Sequence, residues 1–517
     1  MTNIALPFTQ QLLSYSPTPL FDFFNSNDLL PLSMKPVMKM VGHKGCINTC
    51  SFNPYGEYEL TGCDDGCVWL WDIGTRQKTP KIMLRPHITN VFTTNFLSSN
   101  RFISGGNDAT IQCITIAEDR AITTSFISHH TKKVLCSFVI DENTFVTCSH
   151  DRTIRLFDIR KSYPGAESRP LPLLSEEDFN YNGAKRLRDD LISNKIRSQG
   201  EGGGLYTPTP DYPDSILIDL RKSPDCPEFY DMAVNPINKK QFLATASDGT
   251  VRLFDLRHID GPPVGFSFSA HYRSRMNVTG VAYDETATKI AATIIGGSIH
   301  VLDASSFTPI VPWTPPPRPH RQNNTIELNI ADIIDGETGN IDPSRVIALL
   351  SRESHSQSTR NDQNPPSDQN TSNDQNPPSD QQPSNEEEER EEEDVREAIH
   401  GEIAELKGHR NEETIKTVNW MGRYVVSGSD DGKVFFYDPD TTHVVNVFTG
   451  HQGNVNVVTV HPEKHLLATS GIDDYAVLWE PQDLLNVDLE EAADRIKKSL
   501  AETESVEGRE PPMCNIM

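Results

Sequence analysis

Short runs of alternating apolar and polar residues, split by Gly, Asp and Pro turns, fill most of this chain; CINTCSFNP, YELTGC and CVWLWDI follow one another from Cys46. Period-two alternation over such lengths reads as a half-buried strand, and tight turns between runs read as an up-and-down antiparallel sheet. The same phrase recurs along the chain. Asp65, Asp108, Asp151, Asp248, Asp431 and Asp473 each stand six residues before the aromatic or apolar residue that closes a run, as Asp65 stands before Trp71.

Consecutive aspartates are 43 residues apart at Asp65, Asp108 and Asp151, and 42 apart at Asp431 and Asp473. That is the period of a four-stranded propeller blade. The gap of 97 between Asp151 and Asp248 holds a turn-rich insertion, Lys161 to Asp214. A degenerate unit, ATIIGGSIHVLD, has Gly296 where the aspartate belongs, and a low-complexity tract between Ser305 and Arg396 accounts for the gap before Asp431. The expected fold is therefore all-β, a seven-bladed propeller over residues 33–481. It carries an extension at 1–32, an insert at 161–214 after the third blade, an acidic insert at about 304–396 between the fifth and sixth, and a tail at 482–517. Ser33 to His43 has the character of an outermost strand but precedes the first blade, whereas the last blade ends its third strand at Trp479. It is expected to complete the seventh sheet and leave no open edge.

Five of the units open on a histidine, at Gly42-His43, Pro86-His87, His129-His130, Gly408-His409 and Gly450-His451. This grammar resembles the WD-repeat family. The resemblance implies that the histidine, a Ser or Thr, the turn aspartate and the strand aromatic form a buried hydrogen-bonded set, in the third blade His130, Ser149, Asp151 and Phe157. A polar residue that recurs in every unit satisfies backbone groups at a tight turn, so these residues are read as structural, not catalytic.

Composition narrows the class. Nine cysteines lack framework spacing, the opening MTNIALPFTQQLL has no basic start or long apolar core, and no 18-residue apolar run occurs. A reducing compartment, nucleus or cytoplasm, and no membrane span are expected. A formal charge of −26 argues against gripping phosphate backbones through the overall field, so no direct nucleic-acid binding is expected. No phosphate loop, nucleophile elbow or metal-ligand spacing appears; Cys63 and Cys67 flank a turn without further ligands. The chain is read as a non-enzyme with no cofactor and no metal.

Two sixteen-residue stretches stand out, FVTCSHDRTIRLFDIR at Phe145 to Arg160 and FLATASDGTVRLFDLR at Phe242 to Arg257. Both resemble the box of WD-repeat substrate receptors for cullin-4 ubiquitin ligases. By that resemblance Arg160 and Arg257, with Asp158 and Asp255, contact the adaptor, damaged-DNA-binding protein 1. Longer segments, among them GHRNEETIKTVNWMGRYVVSGSDDGKVFFYD and HPEKHLLATSGIDDYAVLWEP, resemble receptors related to nuclear receptor interaction protein. The function implied is a non-catalytic receptor that presents a protein substrate, of unknown identity, to the ligase; the alternative is a general propeller scaffold in chromatin, RNA processing or trafficking. The residues before GHRN are acidic, so the calmodulin-type helix of some relatives is not carried over.

The remaining segments carry weaker patterns. The clusters Leu12, Leu13 and Leu20, Phe21, Phe23, Phe24 either dock on the adaptor or cover the ring's edge. Leu187, Leu191 and Ile196 suit a short helix, and Asp342-Pro343 with Val346, Leu349 and Leu350 suits another. NDQNPPSDQ occurs at Asn361 and Asn373, before the acidic run Asn385 to Asp394, and is too poor in apolar residues to order. Asp488 as cap, then Leu489, Ala492, Ala493, Ile496 and Leu500, predict a helix packed on the propeller. The ending Cys514-Asn515-Ile516-Met517 has the form of a prenylation box, which predicts a farnesyl group on Cys514 and at most weak membrane association beside so many glutamates.

Overall fold

The computed structural model describes residues 30–117, 120–126, 129–163, 166–175, 215–222, 227–259, 261, 263–272, 276–310, 398–412, 414–482 and 489–505. Within them the chain forms seven antiparallel sheets of four or five strands. The first sheet shows the plan: Ile47–Phe52 innermost, then Tyr58–Cys63, Val68–Asp72 and Ile82–Leu84 outermost. The third and fourth blades begin with Val134–Asp141 and Phe229–Val234. The innermost strands of all seven blades line one axial cavity of about 560 Å³.

Second strands depart from simple alternation. Tyr58–Cys63, Arg101–Gly106, Thr144–Ser149, Gln241–Ala246 and Lys289–Ile294 are buried at five of six positions, because neighbouring blades cover both of their faces. Between the first two blades Leu60, Val68 and Leu84 meet Phe96, Phe102 and Ile114; between the third and fourth, Phe138 and Ile154 meet Phe242 and Phe254.

The ring closes as the pattern implied. Met34–Val41 pairs antiparallel with Tyr475–Pro481, from Met34 opposite Pro481 to Val41 opposite Tyr475, with a bulge between Pro36 and Met38. Proline lacks a donor, so an edge strand with a local irregularity is where it fits. Met38 and Met40 point into the core shared with Trp69 and Trp71, while Met34 joins the cluster of Trp479 and Phe448.

The two insertions differ from the sequence expectation. Lys161 to Asp214 lies inside the third sheet, between its third strand Thr153–Asp158 and its outer strand Ile216–Asp219, rather than after that blade. The long insert likewise falls inside the fifth sheet, between Ile299–Asp303 and Glu402–Leu406, rather than between the fifth and sixth blades. Before leaving, each contributes a fifth strand to the preceding blade: Ala166–Leu171 pairs with Arg120–Phe126, and Thr308–Pro309 with Val264–Ser267. The aspartate marks the turn before the third strand, and nothing comparable marks the short outer one.

The helix Leu489–Ser505 packs on the outer edge of the sixth blade. There Leu500 joins Phe435 and Val444, Lys433 donates to the Ser499 carbonyl at 2.8 Å, and Arg495 donates to Asn446 at 3.1 Å. Leu12 to Phe24, Leu187 to Ile196, Asp342 to Leu350, the repeats at Asn361 and Asn373, the acidic run, Asp488 and Cys514 lie outside the described residues.

One buried group makes the fold pH-sensitive. Glu59 in the first blade is fully buried, neither carboxyl oxygen has a hydrogen-bond partner among the described residues, and burial pushes it from 4.5 up to about 8 despite a nearby Cys50 thiol. Folding therefore favours the protonated acid. Its stabilisation is complete below pH 4.5 and is lost as pH rises towards 8, by about 3 to 5 kcal/mol over that window. Glu59→Gln should remove this loss. Thermal melts of the two proteins should diverge in favour of Gln at pH 8.5 and converge at pH 5; parallel curves would refute the assignment.

Candidate functional site

The blade-turn residues come first, since they position everything exposed. In the first blade His43 Nε2 meets Thr61 Oγ1 at 2.8 Å, Trp71 Nε1 donates to the same hydroxyl at 2.9 Å, and Asp65 lies 3.5 Å from His43 Nδ1. The seventh repeats it: His451 to Thr469 at 2.8 Å, Trp479 to Thr469 at 2.8 Å and His451 to Asp473 at 3.0 Å. The second has His87 with Ser104 and Asp108. Asp65, Asp108 and Asp151 each accept the amide two residues on, and also the amide that follows the blade's histidine, which ties two loops together. The second residue of this turn is often left-handed, as at Gly66 with φ 80° and, without glycine, at Arg152 with φ 69°. Burial alone would raise Asp151, yet the charge and hydrogen bond of His130 hold it well below the usual carboxylate range.

Three sequence assignments are corrected. In the third blade the hydroxyl bonded to His130 belongs to Thr147, at 2.8 Å, not to Ser149, which donates to the Lys132 carbonyl and accepts from the Asp151 amide. Both residues share a strand face, but only the one four before the aspartate reaches the ring. Phe157 has no polar atom and contributes by packing edge-on to His129 and stacked on Phe145. In the sixth blade His409 and Asp431 do not bond to each other: His409 Nδ1 meets Tyr437 Oη at 3.1 Å and Asp431 pairs with Lys433 at 3.1 Å. The fourth blade opens without the histidine, and Asp248 pairs instead with Arg252.

Among the described residues, two groups bring three potential metal-ligand atoms within 4.8 Å, His43 with Cys63 and Asp65, and His271 with His300 and Glu405. Both are bound up in blade hydrogen bonds. Burial pushes the Cys63 thiol well above its usual range, and the two nitrogens of His300 are engaged by Tyr272 at 2.7 Å and Glu402 at 2.6 Å.

The exposed constellation is a pair of forks. Arg160 follows the third strand of blade three and donates through Nε and Nη2 to Asp158 at 2.8 and 2.7 Å; Arg257 does the same to Asp255 in blade four at 2.8 and 2.5 Å. The arginine side chains are 64% and 56% exposed. The hydrogen bond from Arg160 holds the Asp158 carboxyl down at about 2, and the one from Arg257 holds Asp255 lower still. Each guanidinium is thus held by its own acid along one edge, which leaves the Nη1 side for an incoming acceptor.

A third fork, Asp219 with Arg221 at 2.8 and 2.7 Å, escaped the sequence reading although DLR repeats there. Asp219 pairs with Thr153 on an antiparallel strand, so this fork sits at the opposite end of the blade from Arg160.

A family model described as "WD domain, G-beta repeat" matches residues 34–72, 121–158, 401–438 and 442–480. With seven antiparallel sheets joined in a ring, the chain is a seven-bladed β-propeller that contains WD repeats, a fold suited to protein–protein interaction. Among similar proteins, tipD of Dictyostelium discoideum is 25% identical over 284 residues, 55% of this chain and 43% of tipD. WD and tetratricopeptide repeats protein 1 of Mus musculus is 46% identical over 79 residues, 14% of this chain and 12% of that protein. WD repeat protein iqw1 of Schizosaccharomyces pombe is 28% identical over 140 residues, 24% of this chain and 17% of iqw1. The matches cover less than half the length of these relatives.

Proposed function

We propose that the chain is a non-catalytic substrate receptor of a cullin-4 RING ubiquitin ligase, in the nucleus or the cytoplasm. The observation that carries this reading is the pair of exposed Asp–Arg forks at equivalent positions of adjacent blades, Asp158 with Arg160 and Asp255 with Arg257. Two planar, permanently charged groups, each braced by its own carboxylate, lose little side-chain freedom when a partner's carbonyl or carboxylate arrives. They would hold the adaptor, damaged-DNA-binding protein 1, while another surface holds the substrate. Catalysis then belongs to the partner, and the receptor acts by proximity, raising the local concentration of a substrate lysine beside the charged ubiquitin-conjugating enzyme.

Changing Arg160 and Arg257 together to Ala should reduce adaptor co-purification at least about tenfold, with the thermal transition within about 2 °C of the unsubstituted chain, because exposed ion pairs stabilise little. Undiminished capture by the double variant would overturn their role. A chain with intact arginines that captures no adaptor would instead be a WD-repeat interaction scaffold without ligase attachment.

A further inference from the structure

Opposite the arginine forks, where the turn aspartates lie, the rim of the axial cavity is unusually cationic between the third and fourth blades. Lys132 and Lys133 immediately precede the innermost strand Val134–Asp141, and the turn His150-Asp151-Arg152 stands beside them. Glu228 of the next blade is the shared counter-charge: Lys132 Nζ lies 2.9 Å from its Oε1, His150 Nδ1 3.4 Å from its Oε2, and Arg152 lies near enough to lower its pKa. Asp151 is taken up by His130 and by the Thr131 and Thr153 amides. Two lysines, an arginine and a histidine therefore face one available carboxylate.

Lys133 is the member with least compensation. It lines the axial cavity with Phe92 and Tyr230, its ammonium stands 6.0 Å over the Phe92 ring, and among the described residues it forms no ion pair. Burial depresses its pKa. His150, packed edge-on to Tyr230 at 5.1 Å, is held down at about 4 by burial and by Lys133, and its buried Nε2 has no hydrogen-bond partner among the described residues. The Arg152 Nε is buried and unpartnered in the same sense. Lys133 and Arg152, crowded by like charge and backed by two aromatic faces, are short of one anion, while the neutral His150 is engaged with Glu228.

We infer that this rim is a recognition site for a carboxylate-rich segment of a partner protein, with one acidic side chain seated between Lys133 and Arg152 at the mouth of the cavity. A peptide suits it better than nucleic acid, because the cations gather around the single counter-charge Glu228 as a point site for one carboxylate rather than a basic track along a phosphate backbone. The site needs no ligase attachment and stands whether or not the forks hold an adaptor.

The test is fluorescence anisotropy of the full chain with a fluorescein-labelled, glutamate-rich peptide flanked by neutral residues, and with an oligothymidylate of equal charge. Saturable peptide binding is expected, weakening as salt is raised. It should fall at least about tenfold in Lys133→Glu and in Lys132→Glu, the second lying outside the cavity where folding is not at stake, and should be unchanged in the Arg160→Ala/Arg257→Ala variant. Absent peptide binding, equal binding by both lysine variants, or preference for the oligonucleotide would overturn the inference. A chain with intact arginines that binds the peptide but captures no adaptor would count against the proposed function alone.

Discussion

Deleting the chain through Val41 should lower the thermal transition by more than about 10 °C. The strand Met34–Val41 supplies the fourth strand of the seventh sheet, and its methionines are divided between two blade interfaces, Met38 and Met40 on one side and Met34 on the other. Burying three such side chains is worth about 5 to 9 kcal/mol together, of the same order as the whole stability of an ordinary domain. Ladder hydrogen bonds along Tyr475–Pro481 are lost as well, which turns a covered strand into a free edge. At about 2 to 4 °C per kcal/mol for a domain of this size, the loss is readily seen by circular dichroism. A synthetic peptide of residues 33–43 should restore part of it. An unshifted transition in the truncated protein would show that the strand decorates the ring rather than closing it.

Lys416→Met should destabilise by about 3 to 5 kcal/mol, the range for leaving one partner of a buried ion pair uncompensated. Lys416 is fully buried, pairs with Asp430, and donates to Thr414 at 2.9 Å and Asn456 at 3.3 Å. Asp430 also accepts the Glu412 amide at 2.6 Å and Asn454 at 3.1 Å, which leaves a well-bonded but unneutralised carboxylate when the lysine goes. Adding Asp430→Asn to Lys416→Met should recover much of the loss, because the remaining groups are neutral. Urea midpoints of the single and double variants decide the matter: a double variant as unstable as the single one would mean that packing of the lysine stem, rather than its charge, is what matters.

Much of the ring was legible before any coordinates. Asp65, Asp108, Asp151 and Asp473 recur because one turn needs a short acceptor that bonds two backbone amides and a histidine, and few other side chains serve. Met34, Met38 and Met40 alternate strongly enough to announce a strand. The strands Ala166–Leu171 and Ile216–Asp219 escaped notice because an outer strand is half exposed and its neighbours, not its own residues, decide the pairing. The same limit explains the misplaced insertions. The forks at Arg160 and Arg257 were visible from their offset to the aspartate, but not that each arginine turns its Nε edge back onto its own acid. Choosing Ser149 over Thr147 needed strand geometry finer than parity, and the Lys416–Asp430 pair, which closes across a blade and recruits Asn454 and Asn456 from the next, has no signature at fixed spacing.

Because Met34 sits opposite Pro481 in the closing ladder, the two ends of the ring leave from a common corner. A short flexible linker joining them would create a circular permutant, with new termini opened at any surface connection and no register in the barrel of sheets disturbed. For the same reason, cargo attached directly at Met34 or at Pro481 would hang from one corner of the ring, a geometric asymmetry that such a tether inherits from the first eight residues of the propeller.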